Sequence, residues 1–357
     1  MIQVVKPTFG VDEETAVLAV LRSGQIAQGA RVAAFEEQFA TAIGAKYAVA
    51  SSSGTASLHL NLLGLGLGPG DEVITSPFTF IASANSILYV GAKPVFADID
   101  PKTFNLNPAE VARKISDRTK AIMPVHLYGY PADMPALMEL AVRHHLYVSE
   151  DAAQAHGASV HGQPVGTFGT GNFSLYPTKN ITSVEGGMLT TADPELAERV
   201  RRLRNHGQSE RYRHEILGYN LRMTDIHAAI GLAQLHRLEE FTRKRQANAR
   251  FLDQGLKGAV ETPYVAPGYT HVYHQYTIRV PDGRRDAVAA ALRERGVGTA
   301  VHYPIPVHQQ PLYLERGFQD SLLESERAAR EVLCLPVHPQ LSEQDLETIV
   351  REVRALC

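Results

Sequence analysis

Short β-rich runs alternate with segments of helical pattern through about the first two hundred residues, and this alternation constrains the fold more than any other feature of the chain. The strand candidates are YAVAS, DEVITSP, KPVFADID, KAIMPVHLYG, LYVSED, NFSLYP and GGMLTTAD. Amphipathic segments such as ASLHLNLLGLG and PADMPALMELAVRHH lie between them. Such alternation is typical of parallel strands joined by crossover helices. We therefore expect an α/β sheet that is covered by helices on both faces.

The pattern changes at Met223, where a long helical stretch begins that extends to Leu256. We interpret this stretch as one helix that bridges two domains. The strand candidate HVYHQYTIRV and the helix candidates DAVAAALRERG and EQDLETIVREVRAL follow it and suit a small α+β domain. A chain of 357 residues also has the length expected for about two domains. We predict a large α/β domain over residues 1–235, including an N-terminal arm, and a small domain over residues 236–357.

Charge and composition argue against several classes of partner. The net charge is -3 and there is no long run of like charges, so a nucleic-acid partner is not indicated. The first residues, MIQVVKPTFGVDEET, lack the pattern of a signal peptide, and no run approaches the roughly 18 apolar residues that span a bilayer. Cys334 and Cys357 are too few for a disulfide framework or a zinc site. We expect a cytoplasmic protein without a metal or a membrane partner.

The glycine-rich run GLGLGPGDE imitates the fingerprint of a dinucleotide-binding loop. A fingerprint of that kind leaves a strand and opens a helix, whereas these glycines end a helical pattern and enter the strand candidate DEVI. The run is therefore interpreted as a helix stop and a turn, and a nicotinamide cofactor is disfavoured.

Small polar residues in ASSSGTASLHL lie where a strand is followed by a helix. Gly54 and Thr55 would then lie at the helix start, where free backbone N–H groups can bind a phosphate. The alternative is that the serines and threonine are simple helix caps, which are common at such positions.

Asp151 and Lys179 are the two charged residues of greatest interest. Asp151 ends the strand candidate LYVSED, with Gln154 three residues further on. A buried carboxylate is costly unless it is paired, so Asp151 either caps a helix or holds a cation such as a protonated ring nitrogen. Lys179 lies in FSLYPTKNITSVEGG, and nothing near it in sequence neutralises its charge. Most lysines are solvated and structural, which is the alternative here.

These features would meet at one edge of the sheet, because ligands of α/β sheets bind beyond the carboxyl ends of the strands. A phosphate-binding helix start, an acidic strand end and a lysine on a later loop match what pyridoxal phosphate requires. They supply a phosphate anchor, a partner for the pyridine nitrogen and an amine that binds covalently. The combination favours a pyridoxal phosphate enzyme, although each signal alone has a structural explanation.

Longer motifs cover nearly the whole chain and include SGQIAQGARVAAFEEQFA, SSSGTASLHL, EDAAQAHGA, FSLYPTKN, GYNLRMTDIHAAIG and CLPVHPQLS. Together they resemble the DegT/DnrJ/EryC1/StrS sugar aminotransferases, a family of fold-type-I enzymes of the aspartate aminotransferase class that depend on pyridoxal phosphate. The resemblance implies a three-layer fold with a mostly parallel central sheet and a smaller C-terminal α+β domain. It also implies that Lys179 binds the cofactor covalently, Asp151 holds the pyridine nitrogen, Gln154 contacts the ring hydroxyl and Phe80 stacks on the ring.

The same resemblance assigns the phosphate to the backbone of Gly54 and Thr55 and to the hydroxyl of Ser174. Asn220, in GYNLR, would reach the phosphate of a second subunit, so the resemblance implies a homodimer with shared active sites.

Three further residues are candidates for substrate contact. Glu185 would lie near the lysine loop, and His302, in AVHYPIP, resembles a substrate-contacting position, but for both the alternative is a structural role in a loop. Arg222 would bind a carboxylate or a diphosphate, and an interface salt bridge is the alternative.

The reaction that the resemblance implies is the transfer of the amino group of L-glutamate to a keto sugar linked to a nucleotide. The segment KNITSVEGG resembles members that act at C4 of the sugar, whereas members that act at C3 tend to carry DGG, so C4 is favoured. A dehydrating subgroup carries histidine at the position of Lys179, which argues for transamination here. Two competing functions are desulfuration, which needs a mobile cysteine, and a regulatory role in which the fold is kept without turnover.

Overall fold

A seven-stranded sheet forms the centre of the larger part of the molecule. The computed structural model describes residues 1–357. The strands of the whole chain are β1 (Tyr47–Ser51), β2 (Glu72–Thr75), β3 (Lys93–Phe96), β4 (Thr119–Met123), β5 (Tyr147–Asp151), β6 (Ser159–Val160), β7 (Gln163–Pro164), β8 (Thr170–Ser174), β9 (Gly187–Thr191), β10 (Gln208–Glu210), β11 (Arg213–His214), β12 (Tyr269–Thr270), β13 (Tyr276–Arg279) and β14 (Val332–Leu335). The order across the large sheet is β1-β9-β8-β5-β4-β2-β3. Each of these seven strands overlaps one of the predicted strand runs.

The large sheet is mostly parallel, with a single reversed strand. Neighbouring strands from β3 to β8 pair in parallel. Strand β9 pairs antiparallel with both β8 and β1. An antiparallel neighbour needs no crossover helix, because the chain can return directly along the strand it has just left. The connection from β8 to β9, residues 175–186, is therefore a loop at the carboxyl edge of the sheet, and this loop carries Lys179.

Thirteen α-helices surround and extend the sheet. They are α1 (Val11–Ser23), α2 (Ala30–Ile43), α3 (Gly54–Gly64), α4 (Ala82–Tyr89), α5 (Pro108–Lys114), α6 (Met134–His144), α7 (Pro194–Leu203), α8 (Asp225–Leu235), α9 (Leu238–Leu256), α10 (Arg285–Glu294), α11 (Pro311–Glu315), α12 (Leu323–Glu331) and α13 (Glu343–Leu356). None of them is both long enough and apolar enough to cross a membrane.

Successive residues of the central strands pack on opposite faces, which produces three layers. In β2, Val73 lies in a buried cluster with Leu62 of α3 and Ile87 of α4. The next residue, Ile74, lies in a different cluster with Leu137 of α6. Because side chains alternate along a strand, a run that is apolar throughout must be covered on both sides. The predicted α/β class with a mostly parallel sheet is confirmed.

The predicted single helix from Met223 to Leu256 is wrong, because the chain breaks into α8 and α9 at His236 and Arg237. Helix α8 packs chiefly against α1 and α2, next to the large sheet. Helix α9 instead packs against α13 and places Leu252 in a second core. One straight helix could not bury its apolar side chains in both places, and periodicity alone does not show this change of direction.

The second core defines a smaller lobe built on β13, β14, α9, α10 and α13. Strands β13 and β14 pair antiparallel, and Tyr276, Leu292 and Ile349 are among its fully buried side chains. The predicted strand and both predicted helices of this region are present. We propose that the boundary between the two domains lies between residues 235 and 236.

Residues 2–8, here called the N-terminal strap, connect the two lobes a second time. The backbone of Ile2 exchanges hydrogen bonds of 2.8 Å with Gly296 and Gly298 of the small lobe. Six residues later, the carbonyl of Thr8 accepts a hydrogen bond of 2.8 Å from the side chain of Gln234 in α8. The strap therefore passes from the small core to the large lobe, and Val4 and Val5 line the cavity described below.

Candidate active site

A cavity of about 720 Å³ opens at the carboxyl edge of the parallel strands, between the two lobes. The residues that line it include Ser53, Gly54, Thr55, Thr79, Phe80, Asp151, Gln154, Ser174, Tyr176, Lys179, Glu185, His274, His302 and Tyr303. Every candidate site residue from the sequence lies in this wall except Asn220 and Arg222. The fold thus brings together residues that are far apart in the chain.

Lys179 is held in place by the hydrogen bonds of its own loop. Its backbone N–H donates to the carbonyl of Tyr176 at 2.9 Å, and the side chain of Asn180 donates to the carbonyl of Val272 at 3.0 Å. Burial lowers the pKa of Lys179 to about 8, and the negative charge of Asp151 partly opposes this shift. About a tenth of the side chain is therefore a neutral amine at pH 7, far more than in an ordinary lysine, and the neutral amine is the form required of a nucleophile.

Asp151 is a buried carboxylate that has no cationic partner within ion-pair distance. Its side chain accepts a hydrogen bond of 2.6 Å from the hydroxyl of Ser83 and one of 3.2 Å from the N–H of Ala153. Burial raises the pKa of Asp151, and these two hydrogen bonds together with the charge of Lys179 act in the opposite direction. Each carboxylate oxygen retains a lone pair that can accept a further hydrogen bond from a ligand in the cavity.

The start of α3 forms a cradle that leaves no room for a side chain. A Cβ at Gly54 would lie 2.7 Å from Cβ of Ser174, so only glycine allows α3 to approach the end of β8 this closely. Ser53 caps the helix, since its hydroxyl accepts a hydrogen bond of 3.1 Å from the N–H of Ala56. The N–H groups of Gly54 and Thr55 belong to the first turn, where no intrahelical acceptor exists. The capping and phosphate-binding interpretations are therefore compatible, because different residues serve them.

Gln154 links the cavity floor to the small lobe. Its carbonyl oxygen accepts a hydrogen bond of 2.7 Å from the N–H of Tyr128, and its NH₂ group donates to the hydroxyl of Tyr303 at 3.1 Å. The hydroxyl of Tyr128 in turn donates to the carbonyl of His302. The NH₂ group of Gln154 has a second hydrogen, which leaves one donor for a ligand.

Phe80 presents an aromatic face to the cavity. Its side chain is 57% exposed, which is unusual for phenylalanine in a molecule with buried aromatic clusters. The ring centroid of Tyr303 lies 6.2 Å away at a tilt of 40°. A flat ligand between the strand ends and Phe80 would cover this exposed ring.

Positive charge is scarce in the cavity. Lys179 is the only lysine or arginine among the lining residues. Burial lowers the pKa of His302 and lowers that of His274 well below the ordinary value, and the charge of Lys179 adds to both shifts. These histidines are therefore neutral at pH 7. A ligand with several negative charges cannot be neutralised by this chain's cavity wall alone.

Asn220 and Arg222 lie outside the cavity, on the segment around β10 and β11. Asn220 is exposed and forms an isolated bridge with Asn205. Arg222 donates a hydrogen bond of 2.6 Å to the side chain of Asn205. The structure of one chain does not bring either residue to Lys179.

Several polar residues of the site were missed from the sequence, among them Thr79, Ser83 and Tyr303. A signal existed for the first two, since they lie four residues apart in the otherwise apolar run PFTFIASA, which follows β2. Tyr303 carries no such signal, because it comes from the small lobe and reaches the site only through tertiary folding.

Comparisons with known proteins agree on one family. A model of the DegT/DnrJ/EryC1/StrS aminotransferase family matches residues 7–354. A pleiotropic regulatory protein from Geobacillus stearothermophilus is 44% identical over 94% of this chain and 91% of its own length. The UDP-N-acetyl-3-dehydro-alpha-D-glucosamine 3-aminotransferase of Acidithiobacillus ferrooxidans is 43% identical over 95% of this chain and 92% of its own length.

Solved structures give the same result. A crystal structure of DesV from S. venezuelae has a TM-score of 0.93 and 41% identity, and the match covers 96% of this chain and 93% of that one. The structure of ntda from Bacillus subtilis, solved with the bound cofactor PMP, has a TM-score of 0.91 and 32% identity, over 98% of this chain and 82% of that one.

Proposed function

Because the chain belongs to the DegT/DnrJ/EryC1/StrS aminotransferase family, we propose that it transfers the amino group of L-glutamate to a keto sugar linked to a nucleotide, with pyridoxal phosphate bound covalently at Lys179. The observation that carries the proposal is the meeting of Lys179, the unpaired buried Asp151 and the Gly54 cradle in one cavity wall.

The residues of the cavity fit this cofactor. The open N–H groups of Gly54 and Thr55 and the hydroxyl of Ser174 suit the phosphate. Asp151, which lacks a cationic partner in the chain, suits the protonated pyridine nitrogen, and exposed Phe80 suits the flat ring. When bound, pyridoxal phosphate supplies an electron sink that stabilises negative charge on the carbon that loses a proton.

Lys179 has two tasks in this proposal. Its neutral amine would bind the cofactor's aldehyde covalently, with loss of water, and when free again the same amine would hold and move the proton that leaves the α-carbon of the donor. Asp151, as an anion, keeps the proton on the ring nitrogen, and the remaining donor of Gln154 contacts the ring hydroxyl. Burial of Lys179 serves both tasks, because it brings the pKa of the amine to about 8, near the working pH.

The proposed assembly is a homodimer with shared active sites. Its support is the shortage of positive charge in the cavity, since cofactor phosphate, glutamate and a nucleotide diphosphate are all anionic. Asn220 would reach the phosphate in the other subunit, and Arg222 would supply a cation for a carboxylate or diphosphate there. The segment that carries them exposes large apolar side chains, with Tyr212 76% and Leu217 82% exposed, as expected of a surface that a second copy covers.

Glu185 and His302 are the proposed sugar-contacting residues, since both line the cavity beyond the lysine. We favour amination at C4 because the segment after Lys179 reads KNITSVEGG. The name of the Acidithiobacillus relative specifies amination at C3. Which carbon of the sugar this protein aminates must therefore be determined by experiment. Proton and carbon NMR of the product would decide it, and a 3-amino sugar would overturn this part of the proposal.

The test of the function itself uses purified protein and a panel of UDP-, GDP- and dTDP-linked keto sugars with L-glutamate. We expect a yellow protein, formation of 2-oxoglutarate that depends on one keto sugar, and cofactor trapped on Lys179 by borohydride. A protein that stays colourless after incubation with the cofactor would overturn the proposal.

A regulatory role is the second candidate, because the Geobacillus relative carries a regulatory name. The presence of Lys179, Asp151 and Gln154 in one wall favours turnover, and lysine rather than histidine at position 179 disfavours the sugar dehydratase. The regulatory candidate would replace our proposal if the cofactor accepts the amino group from glutamate but no keto sugar discharges it.

A further inference from the structure

Ser83 lies directly behind Asp151 and is completely buried. Its hydroxyl donates to Oδ2 of Asp151 at 2.6 Å, which is the short distance typical of a hydrogen bond from a hydroxyl to a charged oxygen. Ser83 belongs to α4, whereas Asp151 ends β5, so this contact joins two elements that are 68 residues apart in sequence.

Thr79 orients the hydroxyl of Ser83. The two hydroxyl oxygens lie 3.0 Å apart, and Thr79 is 3% exposed and lines the cavity. Because the single hydroxyl hydrogen of Ser83 is directed to the carboxylate, the hydrogen bond between the two hydroxyls must be donated by Thr79. The result is a chain of donors from Thr79 through Ser83 to Asp151, in which each bond polarises the next.

The same short segment also carries Phe80, so one piece of backbone positions both the proposed ring-stacking residue and the support of the carboxylate. A backbone hydrogen bond of 3.2 Å, donated by the N–H of Ser83 to the carbonyl of Phe80, ties the two residues together. Nothing else in the chain donates a side-chain hydrogen bond to Asp151.

We propose that Ser83, aligned by Thr79, is a positioning residue for the reaction: its hydroxyl holds Asp151 in the orientation and the charged state that keep a proton on the cofactor's pyridine nitrogen. This inference rests on the proposed function, because it needs the cofactor in the cavity. The other groups that act on Asp151 are Lys179 in the loop after β8, His126 after β4 and Tyr303 of the small lobe, and none of them replaces the Ser83 hydrogen bond.

The direction of the expected effect follows from the hydrogen bond. The Ser83 hydroxyl lowers the pKa of Asp151 against the opposite effect of burial. Without it the pKa of the carboxyl rises, and the proton shared with the pyridine nitrogen moves toward Asp151. Hydrogen bonds to charged groups contribute enough that the dissociation constant of the cofactor should rise by about 10- to 100-fold.

The experiment compares Ser83→Ala with Ser86→Ala. Ser86 is a matched control, because it is equally buried on the same helix and its hydroxyl donates only to the carbonyl of Ser83, at 2.8 Å. Equilibrium dialysis of the apoprotein gives the cofactor's dissociation constant, and ¹⁵N NMR with ring-labelled cofactor gives the protonation of the pyridine nitrogen. We expect Ser83→Ala to weaken binding and to lower the protonated fraction, Ser86→Ala to resemble the wild type, and Ser83→Thr to restore both values.

Thr79→Val provides a second variant of almost the same shape, and it should shift both measurements in the same direction by a smaller amount. Values for Ser83→Ala within twofold of the wild type, or an equal loss in Ser86→Ala, would overturn the inference. If Ser83→Ala does not fold, as judged by its thermal transition, Thr79→Val decides the question alone. A wild-type protein that shows no bound cofactor would instead overturn the proposed function.

Discussion

The cavity wall around Lys179 and the segment around β10 and β11 differ in how far burial and hydrogen bonds within the chain satisfy their polar side chains. In the wall, Asp151, Gln154 and the lysine loop are buried or hydrogen-bonded within the chain. On the segment, Asn220 is exposed, Tyr212 and Leu217 project from the surface, and Arg222 reaches only a neighbouring asparagine. One chain therefore builds the proposed cofactor site but offers the proposed anionic substrates no lysine or arginine other than Lys179.

The largest expected effect comes from the wall. Replacement of Lys179 by alanine removes both the nucleophile and the proton carrier, so the rate of glutamate-dependent amination should fall by more than about 10³-fold. The exposed Lys257→Ala serves as a control for the loss of one positive charge. The assay follows 2-oxoglutarate, and appreciable turnover by Lys179→Ala would exclude the role proposed for this residue.

The next prediction tests whether the segment acts across a subunit boundary. An Asn220→Ala/Arg222→Ala double variant should be nearly inactive, as Lys179→Ala should be. Co-refolding equal amounts of the double variant and Lys179→Ala should restore about a quarter of the wild-type activity. The reason is that half of the dimers contain one chain of each kind, and each of these mixed dimers has one intact site and one inactive site. If Asn220 and Arg222 served the active site of their own chain, no activity would return, and the segment would not differ from the cavity wall in acting across the subunit boundary.

A smaller effect is expected from Gly54→Ala, because the new Cβ would lie 2.7 Å from Ser174. Overpacking of this kind costs about 1–3 kcal/mol, which predicts roughly 5- to 150-fold weaker cofactor binding. Gly68→Ala is the control, since its Cβ would meet nothing closer than 3.8 Å. Equilibrium dialysis measures both variants, and equal affinities would show that the cradle is looser than its geometry indicates.

The smallest effect is a dependence on pH. The neutral form of Lys179 is the reactive one, so the rate of cofactor capture by the apoprotein should rise with pH through a midpoint at about pH 8. In Asp151→Asn the midpoint should move to lower pH, because the carboxylate is the charge that raises the pKa of the lysine. Stopped-flow absorbance gives the profile, and a midpoint near the ordinary value of 10.5 would contradict the burial of this amine.

The sequence predicts much of the large lobe, because the strands and turns of this lobe are determined by residues that are close together in the chain. The strands of the central sheet are short runs bounded by turn residues, Asp151 ends one of these runs, and Lys179 lies in the loop that follows another. The glycine at the start of α3 is also visible locally, although Ser174, which it approaches, comes from a distant strand.

The remainder depends on contacts between distant segments. The break at His236 and Arg237 arises because α8 and α9 pack into different cores, and no residue there is a helix breaker. Ser83 and Tyr303 gain their roles only when α4 and the small lobe reach the end of β5. Periodicity describes one element at a time, so it cannot place such partners.

The N-terminal strap has a mechanical consequence. A small lobe joined to its neighbour by one connection can swing freely, but here the strap, the link from α8 to α9, the pairing of β12 with β6 and the hydrogen bond from Gln154 to Tyr303 all tie the lobes together. We therefore expect the gate for entering and leaving molecules to consist of side chains and loops at the rim, such as Phe80 and Tyr176, while the lobes keep a fixed separation.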